Sequence, residues 1–430
     1  MENTIIRRTY SVCPICLKRL PALLENRNDG IYLTKECPEH GRFEVIVWRN
    51  RLDFREWIGC VEPIGKREEI HCPDDCGICL NHQQGTCCVL YEITGQCNLH
   101  CPICFADPDG TQTLSLEQIF KDIDAIAANG RPLLQLSGGE PTCRDDLPQI
   151  VRYVKDSGCA YVQLNSNGLR LANDQAFVAA LAEAGLDFVF MQFDGTNDDI
   201  NIKLRGEPLL SQKLKAIANC DNNNIGVTLV PTLVPGVNTD NIGDIIRLAM
   251  ANSPTVRGVH FQPVSYFGRY PSAPTDTDRY TLDQLVTDIQ GQTDGLVSLK
   301  NLSPSHCDHP LCGFHGSFIV ISDNELYPIT RVDNQCCCGK TTAEQNREYV
   351  GRKWQRPSIG QAEDNGDYQD LDTFLLRARS YAFTISGMVF QDCYNLNIER
   401  LRQCSLHVYQ DGRFMPFCAR YLTGIQEENI

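Results

Sequence analysis

Three closely spaced cysteines are the part of the sequence whose chemistry is easiest to recognise. Cys97, Cys101 and Cys104 form the pattern C-x3-C-x2-C, without a fourth cysteine beside them. Each iron of a 4Fe-4S cluster takes one protein ligand, so three thiolates bind three irons and leave the fourth iron open to a substrate. The alternative is a structural zinc site that takes its fourth ligand from a distant part of the chain. The spacing favours the iron-sulfur cluster.

The composition limits the other chemistry that the chain could perform. It has 430 residues, 23 cysteines and a formal net charge of -15 at pH 7. The N-terminal residues lack the apolar stretch of a secretion signal, so we expect a cytoplasmic protein whose reduced cysteines hold metal. The acidic charge argues against nucleic acid as a partner, because phosphate binding needs clustered Lys and Arg. We also expect no integral membrane segment, because no uninterrupted apolar run is long enough.

The elements that must position these cysteines are predicted from β-rich segments that alternate with amphipathic ones. The predicted strands are 88–93, 132–137, 160–165, 186–193, 225–232 and 257–264. The predicted helices are 116–128 behind the N-cap Ser115, 146–156, 174–184, 208–219 and 239–251. This order predicts an α/β fold, an open, partial (β/α)6 barrel whose active site lies at the carboxyl ends of the strands. After about residue 265 the alternation gives way to loops, helices and a cysteine-rich tail.

Four further motifs follow the predicted strands in order: S-G-G-E-P, N-S-N-G, D-G and V-P-G-V-N. In the first, glycines permit close backbone approach and Glu140 supplies a charged acceptor. Together with the three cysteines, these motifs resemble the radical S-adenosylmethionine (SAM) superfamily over residues 88–264. The resemblance implies that SAM is bound by Ser137, Gly138, Gly139, Glu140, Asn165, Ser166, Asp194 and Val237.

The same resemblance implies a mechanism in which Cys97, Cys101 and Cys104 are catalytic. One electron from the reduced cluster cleaves SAM to methionine and a 5'-deoxyadenosyl radical, which abstracts hydrogen from a substrate. An electron donor such as ferredoxin or flavodoxin is the expected partner. The hypothesis from another class is a non-catalytic carrier of electrons with several clusters. Such a carrier would normally complete the open site with a fourth thiolate.

The N-terminal cysteines predict a separate metal site. Cys13, Cys16 and Cys37 are followed by His40, in the pattern C-x2-C-x20-C-x2-H. Two short knuckles about twenty residues apart are typical of zinc-ribbon or rubredoxin-like sites, which need four ligands. The fourth ligand is His40 or Cys60, and the metal is a mononuclear iron or zinc ion.

A second cysteine block precedes the first barrel strand. This segment resembles a branch of radical SAM enzymes that includes the archaeal tetraether lipid synthase and relatives described as pterin methylases. The resemblance implies an auxiliary 4Fe-4S cluster on Cys72, Cys76, Cys79 and Cys87, although the adjacent Cys88 leaves the fourth ligand open.

The C-terminal cysteines resemble the last blocks of the same branch. They imply a second auxiliary cluster on Cys307, Cys312, Cys404 and Cys418, with Cys393 as a substitute for one of them. The alternative is a set of buried structural cysteines. The triplet of residues 336–338 is either an additional thiolate site or a group of surface cysteines.

We therefore expect four regions along the chain. Residues 1–60 form the rubredoxin-like or zinc-ribbon module and 61–87 the auxiliary cluster segment. Residues 88–265 form the radical SAM core and 266–430 a region for the substrate and an auxiliary cluster. By resemblance, the reaction is functionalisation or coupling of an unactivated carbon, perhaps of a lipid chain. The alternative within the same class is methylation or rearrangement of a small molecule or peptide.

Overall fold

The computed structural model of the chain describes residues 4–59, 72–73, 78–79, 81–105, 112–329, 342–357 and 371–424. The first part is an antiparallel sheet of four strands, each paired with the next along the chain. The strands are β1 (Thr4–Val12), β2 (Arg19–Arg27), β3 (Gly30–Cys37) and β4 (Gly41–Trp48). The short helix α1 (Phe54–Ile58) follows, and the Asp53 carboxylate caps it by accepting hydrogen bonds from the backbone N–H groups of Arg55 and Glu56.

The central part alternates strands and helices, as the sequence predicts. Its strands are β5 (Cys88–Thr94), β6 (Leu133–Gly138), β7 (Tyr161–Ser166), β8 (Phe188–Gln192), β9 (Gly226–Val230), β10 (Thr232–Leu233) and β11 (Val256–Pro263). Its helices are α2 (Leu116–Ala128), α3 (Leu147–Asp156), α4 (Leu169–Asn173), α5 (Gln175–Ala184), α6 (Asp198–Arg205), α7 (Leu210–Asn222) and α8 (Ile242–Ala251). The predicted cap of α2 is confirmed, because the Ser115 hydroxyl accepts a hydrogen bond from Gln118 N–H.

The six predicted strands lie side by side and parallel, in the order β5-β6-β7-β8-β9-β11. The predicted α/β fold with an open, partial barrel is therefore confirmed. One predicted strand, 225–232, is divided at Pro231 into β9 and β10. Proline has no backbone N–H to donate to a ladder, so the division falls where pairing has to stop.

The prediction that regular alternation ends near residue 265 is wrong for the sheet. The later elements are α9 (Leu282–Gln292), β12 (Ser303–Pro304), β13 (Gly313–Ser322), β14 (Glu325–Pro328), α10 (Ala343–Trp354), α11 (Leu371–Ser380), β15 (Ala382–Met388), α12 (Ile398–Arg402), β16 (Leu406–Gln410), β17 (Arg413–Pro416) and α13 (Phe417–Arg420). Strand β15 pairs parallel with β11, and β16 pairs parallel with β5. The C-terminal part thus extends both edges of the barrel sheet.

Helix α10 closes the lower end of the barrel, opposite the carboxyl ends of the strands. Its Trp354 packs with Phe188 and Phe190 of β8 and donates a hydrogen bond to Thr384 at 3.0 Å. Gly351 lies so close to the Tyr161 ring that a Cβ atom would come within 2.2 Å of it. This close packing fixes α10 as the floor of the barrel interior.

The N-terminal sheet packs on the C-terminal part through polar contacts as well as apolar ones. Arg7 forms a salt bridge with Glu399 at 2.7 Å, and Thr9 donates a hydrogen bond to Asn397 at 2.7 Å. The buried Lys35 ammonium donates to Ser11 Oγ and to the backbone carbonyls of residues 393 and 394. Within the described residues, no helix combines the length and apolar character needed to cross a membrane.

Candidate active site

A cavity of about 760 Å³ extends from the carboxyl ends of the barrel strands down to helix α10. Cys97, Cys101 and Cys104 all line it, and they pack in one group with Leu99 and Leu209. Their loop is held at its far end, where the backbone of Cys104 exchanges two hydrogen bonds with residue 269 at 3.0 and 2.9 Å. The structure therefore brings the three predicted thiols together on one wall.

The donor set on this wall suits a metal cluster. Burial raises the pKa of Cys97 to about 11, so the thiol stays protonated near neutral pH unless a metal takes the thiolate. Three soft sulfur donors without a fourth are the set that an iron-sulfur cluster with an open iron requires. The residues present therefore fit the cofactor that the spacing predicts.

Gly138 and Gly139 at the end of β6 are required by the stem of the cysteine loop. A Cβ on Gly138 would lie 2.2 Å from the Thr94 carbonyl oxygen, and one on Gly139 would lie 2.3 Å from that of Gln96. Gly139 N–H also donates to the Thr94 carbonyl at 2.8 Å. The two glycines let β6 hold the loop at its root, while both still line the cavity.

The Glu140 carboxylate joins three strand ends. It is 2% exposed and accepts hydrogen bonds from Thr142 N–H and Oγ1, from Ser166 Oγ at 2.8 Å and from Asn167 N–H at 2.6 Å. Asn167 in turn donates to Asn98, inside the cysteine loop, at 2.6 Å. Glu140 thus holds the loop after β7 and, through it, the cysteine loop.

The other SAM-binding residues predicted on β6 and β7 also line the cavity. These are Ser137, Asn165 and Ser166. Asn165 accepts a hydrogen bond from Gln163 at 2.6 Å, and the Ser166 hydroxyl accepts one from Gly168 N–H. Their positions place a continuous polar edge opposite the three cysteines.

Asp194 occupies a different position from the one expected. Its carboxylate is fully buried and forms a salt bridge with Arg205 at 2.6 and 2.8 Å, and it also accepts a hydrogen bond from Thr232 N–H. Arg205, not Asp194, lines the cavity. The carboxylate is drawn behind the wall because a buried guanidinium needs an anionic partner.

Val237 is likewise absent from the cavity wall. The turn that contains it is tied down by Asn238, which donates to the backbone carbonyls of Asp194 and Thr232 at 2.8 Å. The motif therefore supports Asp194 and the start of β10. Contact of Val237 with SAM stays a prediction.

Two functional residues were not predicted from the sequence. Arg205 lies within hydrogen-bond reach of the Cys101 thiol, and Lys213 donates a hydrogen bond to the backbone carbonyl of Asn167. Burial lowers the pKa of Lys213 to about 8. The sequence feature that could have identified Arg205 is its position as a basic residue on the apolar face of a helix. Ile200, Leu204 and Arg205 are all buried on α6.

The N-terminal site is the most compact group of metal ligands. The Cys13, Cys16 and Cys37 sulfurs and a His40 ring nitrogen all lie within 4.8 Å of one another. His40 Nδ1 lies 3.5 Å from the Cys13 sulfur and 3.4 Å from that of Cys37. Four donors of this kind fit a tetrahedral ion. His40 therefore fills the fourth position, while Cys60 lies outside the described residues.

The remaining cysteines fall into groups that differ from the predicted ones. Cys87, Cys88 and Cys307 pack together at the lower end of the cavity, and the Cys87 and Cys88 sulfurs are 3.5 Å apart. Cys307 thus packs with Cys87, and its predicted place in a cluster with the tail cysteines stays a prediction. Strand β5 begins at Cys88, and its start brings the Cys87 and Cys88 thiols to the loop that carries Cys307.

The tail cysteines form a second group. Burial raises the pKa of the Cys404 thiol well above its usual value, and the nearby Asp308, Cys418 and Cys312 raise it further. Cys72 packs in the same apolar cluster as Cys418. Cys393 is apart from them, beside Asp392 and Lys35.

Two predicted sets are only partly described. Cys79 is exposed, and Cys76 lies outside the described residues, as does the triplet 336–338. Within the described part of the chain, the N-terminal site alone brings three or more Cys, His, Asp or Glu donors within 4.8 Å.

Comparison with known proteins gives two family matches. The radical SAM superfamily matches residues 91–249, and the HMPTM N-terminal zinc ribbon domain matches residues 5–49. A 7,8-dihydro-6-hydroxymethylpterin dimethyltransferase from Methanocaldococcus jannaschii is 33% identical, covering 96% of this chain and 92% of its own.

Other proteins are similar to a part of the chain. Fe-coproporphyrin III synthase from Methanosarcina barkeri is 34% identical over 36% of this chain and 38% of its own. The crystal structure of SuiB from Streptococcus suis shares 14% identity with a TM-score of 0.43, and covers 50% of this chain and 47% of that one. At this score the structural likeness carries no inference.

Proposed function

Because the chain belongs to the radical SAM superfamily, we propose that it removes a hydrogen atom from a carbon of a small, uncharged, flat ring compound and methylates that carbon. The middle of the cavity carries this proposal. There the neutral polar side chains of Gln135, His260 and Gln262 lie beside the ring of Phe190. Pterins are flat, uncharged heterocycles, and the relative that matches almost the whole chain is named a pterin dimethyltransferase.

The enzyme uses a 4Fe-4S cluster and SAM. We assign the cluster to Cys97, Cys101 and Cys104, and SAM to the polar edge from Ser137 to Glu140. When bound, these cofactors supply a 5'-deoxyadenosyl radical by one-electron reductive cleavage. The cysteine loop, the glycines beneath it and Glu140 keep that edge at a fixed distance from the thiols.

Other residues set the charge and solvent content of the site. The Arg205 guanidinium, held by Asp194 beside Cys101, places a permanent cation on the wall and suits the carboxylate of SAM. An aromatic group closes the mouth, with ring centroids of Phe390 and Phe417 4.3 Å apart and those of Phe105 and Phe417 5.8 Å apart. Excluding water there protects a reactive intermediate from side reactions.

The net reaction balances with two molecules of SAM and two electrons from a reductant such as ferredoxin or flavodoxin. The hydrogen of the substrate C–H bond leaves in 5'-deoxyadenosine, and methionine is released with it. The new C–CH3 bond takes its methyl group from the second SAM, which leaves as S-adenosylhomocysteine. The substrate therefore gains one methyl group for each pair of SAM molecules consumed.

Coupling at a carbon of a lipid chain is the second candidate. The cysteine blocks around Cys72 and Cys404, which resemble those of the tetraether lipid synthase branch, favour it. The polar middle of the cavity argues against it, because a saturated chain would leave buried amide and imidazole groups without hydrogen-bond partners.

We further propose that the grouped cysteines mark two auxiliary iron-sulfur sites. One contains Cys87 and Cys307, and the other contains Cys312, Cys404 and Cys418. Iron counting by Mössbauer spectroscopy tests this grouping. If Cys87 and Cys307 bind one cluster, replacing both by Ser should lower the iron content by the same amount as replacing either one. If the losses of the two single variants add up in the double variant, the pairing is wrong.

The N-terminal site is proposed to hold a structural zinc or iron ion. The four regions 1–60, 61–87, 88–265 and 266–430 remain a proposed division of the chain. Since β15 and β16 complete the barrel sheet, we do not expect the last region to separate from the core as an independent unit.

The function is tested with the anaerobically reconstituted full chain, methyl-labelled SAM, a chemical reductant and 7,8-dihydro-6-hydroxymethylpterin. We expect 5'-deoxyadenosine and a labelled methylpterin by mass spectrometry. A parallel reaction supplies a phospholipid with saturated chains. If coupled or methylated lipid forms and the pterin is recovered unchanged, the ring-methylation proposal is wrong and the lipid candidate replaces it.

A further inference from the structure

We infer that the layer of side chains directly below the SAM-facing strand ends is the seat of the substrate ring, in which Gln135 and His260 bind its polar edge and Phe190 stacks on its face. The inference rests on the proposed function, because the seat serves ring methylation. No charged side chain is needed to build it, and each of its three members lines the cavity.

The three residues stand on alternate strands of the tilted barrel sheet. Gln135 shares a row with Phe188, and Phe190 shares a row with Gly258, so the position rises by two residues from β6 to β8 and by two more to His260 on β11. Strands that tilt against the barrel axis need this stagger for their inward side chains to share one layer. Gln135 stands two residues before Ser137 on β6, Phe190 two before Gln192 on β8, and His260 two before Gln262 on β11. Side chains two residues apart point to the same face of a strand and are separated by about 7 Å. The seat is therefore one step below the edge assigned to SAM, within reach of a radical formed there.

Hydrogen-bonding groups in this layer are left open toward the cavity. Among the described residues, the side-chain amide of Gln135 has no hydrogen-bond partner, although Gln135 is only 9% exposed. His260 Nδ1 pairs with Ser386 Oγ at 2.9 Å, which leaves Nε2 for a ligand. Buried polar groups without partners are costly, so this layer calls for a ligand that can satisfy them.

Phe190 supplies a flat ring face in this layer, and the rings of Trp354 and His260 lie beside it at tilted angles. The ring centroids of Phe190 and Trp354 are 4.5 Å apart, and those of Phe190 and His260 are 5.5 Å apart. Trp354 is fixed from below through its hydrogen bond to Thr384. A planar ring can stack on such a surface, which would make little specific contact with a flexible chain.

The charge of the seat selects for a neutral ligand. Burial lowers the pKa of His260 to about 4, so its imidazole is uncharged near neutral pH. The charged side chains of the cavity wall already have partners: Glu140 in Ser166 and Asn167, Arg205 in Asp194, and Asp308 in Ser405 N–H. A flat, uncharged nitrogen heterocycle with donors and acceptors on its edge satisfies all of these features.

Binding of 7,8-dihydro-6-hydroxymethylpterin to the cluster-loaded full chain, measured by anaerobic calorimetry with SAM present, tests the seat. Gln135→Leu should weaken pterin binding by roughly tenfold or more, because it leaves a polar edge unpaired. Phe190→Leu should weaken it by about fivefold through lost stacking. Iron content and SAM affinity should not change in either variant.

The matched control is Phe261→Leu on β11, which is fully buried and outside the cavity wall. This control variant should lower the free energy of unfolding about as much as Phe190→Leu does, and it should leave the affinity for the pterin unchanged. If the parent chain binds the pterin and Gln135→Leu and Phe190→Leu bind it equally well, the seat is wrong while the proposed function stands. If the parent chain does not bind the pterin at all, the ring-methylation proposal falls together with the seat.

Discussion

The N-terminal metal centre and the cysteine loop at the barrel mouth use the same residue type for opposite purposes. In the first, four donors converge within 4.8 Å, so that one ion is enclosed on all sides. In the second, three thiols line a cavity of about 760 Å³, whose wall also includes the polar residues at the ends of β6 and β7. A closed donor set stabilises structure, whereas an incomplete one keeps a coordination position for a reactant.

The largest effect should come from emptying the incomplete site. Replacing Cys97, Cys101 and Cys104 by Ala should abolish formation of 5'-deoxyadenosine, because no iron would remain to bind SAM. Chromatography of the anaerobic reaction measures this product. If the variant still forms 5'-deoxyadenosine, the open site lies elsewhere. The three-cysteine loop would then not differ from the N-terminal site in keeping a coordination position for a reactant.

Opening the closed site should have a different result. The double variant Cys13→Ala and Cys37→Ala should lose the N-terminal ion and most of the stability of its sheet, because structural metal sites contribute folding free energy directly. Cleavage of SAM should fall by less than about twofold, since sites without shared contacts act independently. Metal analysis and thermal unfolding measure the first effect. A large loss of SAM cleavage in correctly folded protein would show that the N-terminal ion takes part in electron transfer.

Glu140→Gln should give an intermediate effect. The change keeps the volume of the side chain but replaces one acceptor oxygen by a donor in a network of four accepted hydrogen bonds. We expect SAM affinity to fall by about tenfold with unchanged iron content. Equilibrium dialysis measures the affinity, and Glu36→Gln on the N-terminal sheet is the control. Equal affinities in the two variants would contradict the assignment of this edge to SAM.

The smallest effect concerns Lys35, which joins the N-terminal sheet to residues 393 and 394 of the C-terminal part. Burial lowers the pKa of Lys35 to about 7, from an ordinary value of 10.5. Between these values the unfolded chain binds more protons than the folded chain, so the free energy of unfolding should rise with pH from about 7 to about 10. Lys35→Met should flatten this rise, and the exposed Lys18→Met should not. Denaturant unfolding at a series of pH values measures both.

The predictable parts of the molecule are those in which neighbours in sequence are neighbours in space. The spacing of Cys13, Cys16 and Cys37 defines the N-terminal site because one antiparallel sheet carries all the ligands. The barrel strands follow from repeated βα units, and the cap at Ser115 from local hydrogen bonding. The three mouth cysteines also lie within one loop.

The parts that could not be predicted depend on long-range pairing. Cys307 meets Cys87 only because β5 begins beside the loop that carries Cys307, and the sequence spacing contains no trace of this. Asp194 reads as a ligand-binding residue after a strand, but Arg205 on the following helix turns its carboxylate inward. In the sequence, Gln135 and His260 of the substrate seat look like ordinary strand residues. Only the arrangement of the barrel strands brings them together.

Strands β15 and β16 also constrain how the protein is made. Each is translated long after its barrel neighbour, since β11 ends at Pro263 and β5 at Thr94. Until residues 382–410 have left the ribosome, both outer strands of the nascent barrel expose unpaired backbone groups, which are sites for aggregation. The same delay leaves the cysteine loop uncovered by Phe390 and Phe417. The aromatic contact between Phe417 and Phe105 of the cysteine loop can therefore form only after residues 382–417 have been made.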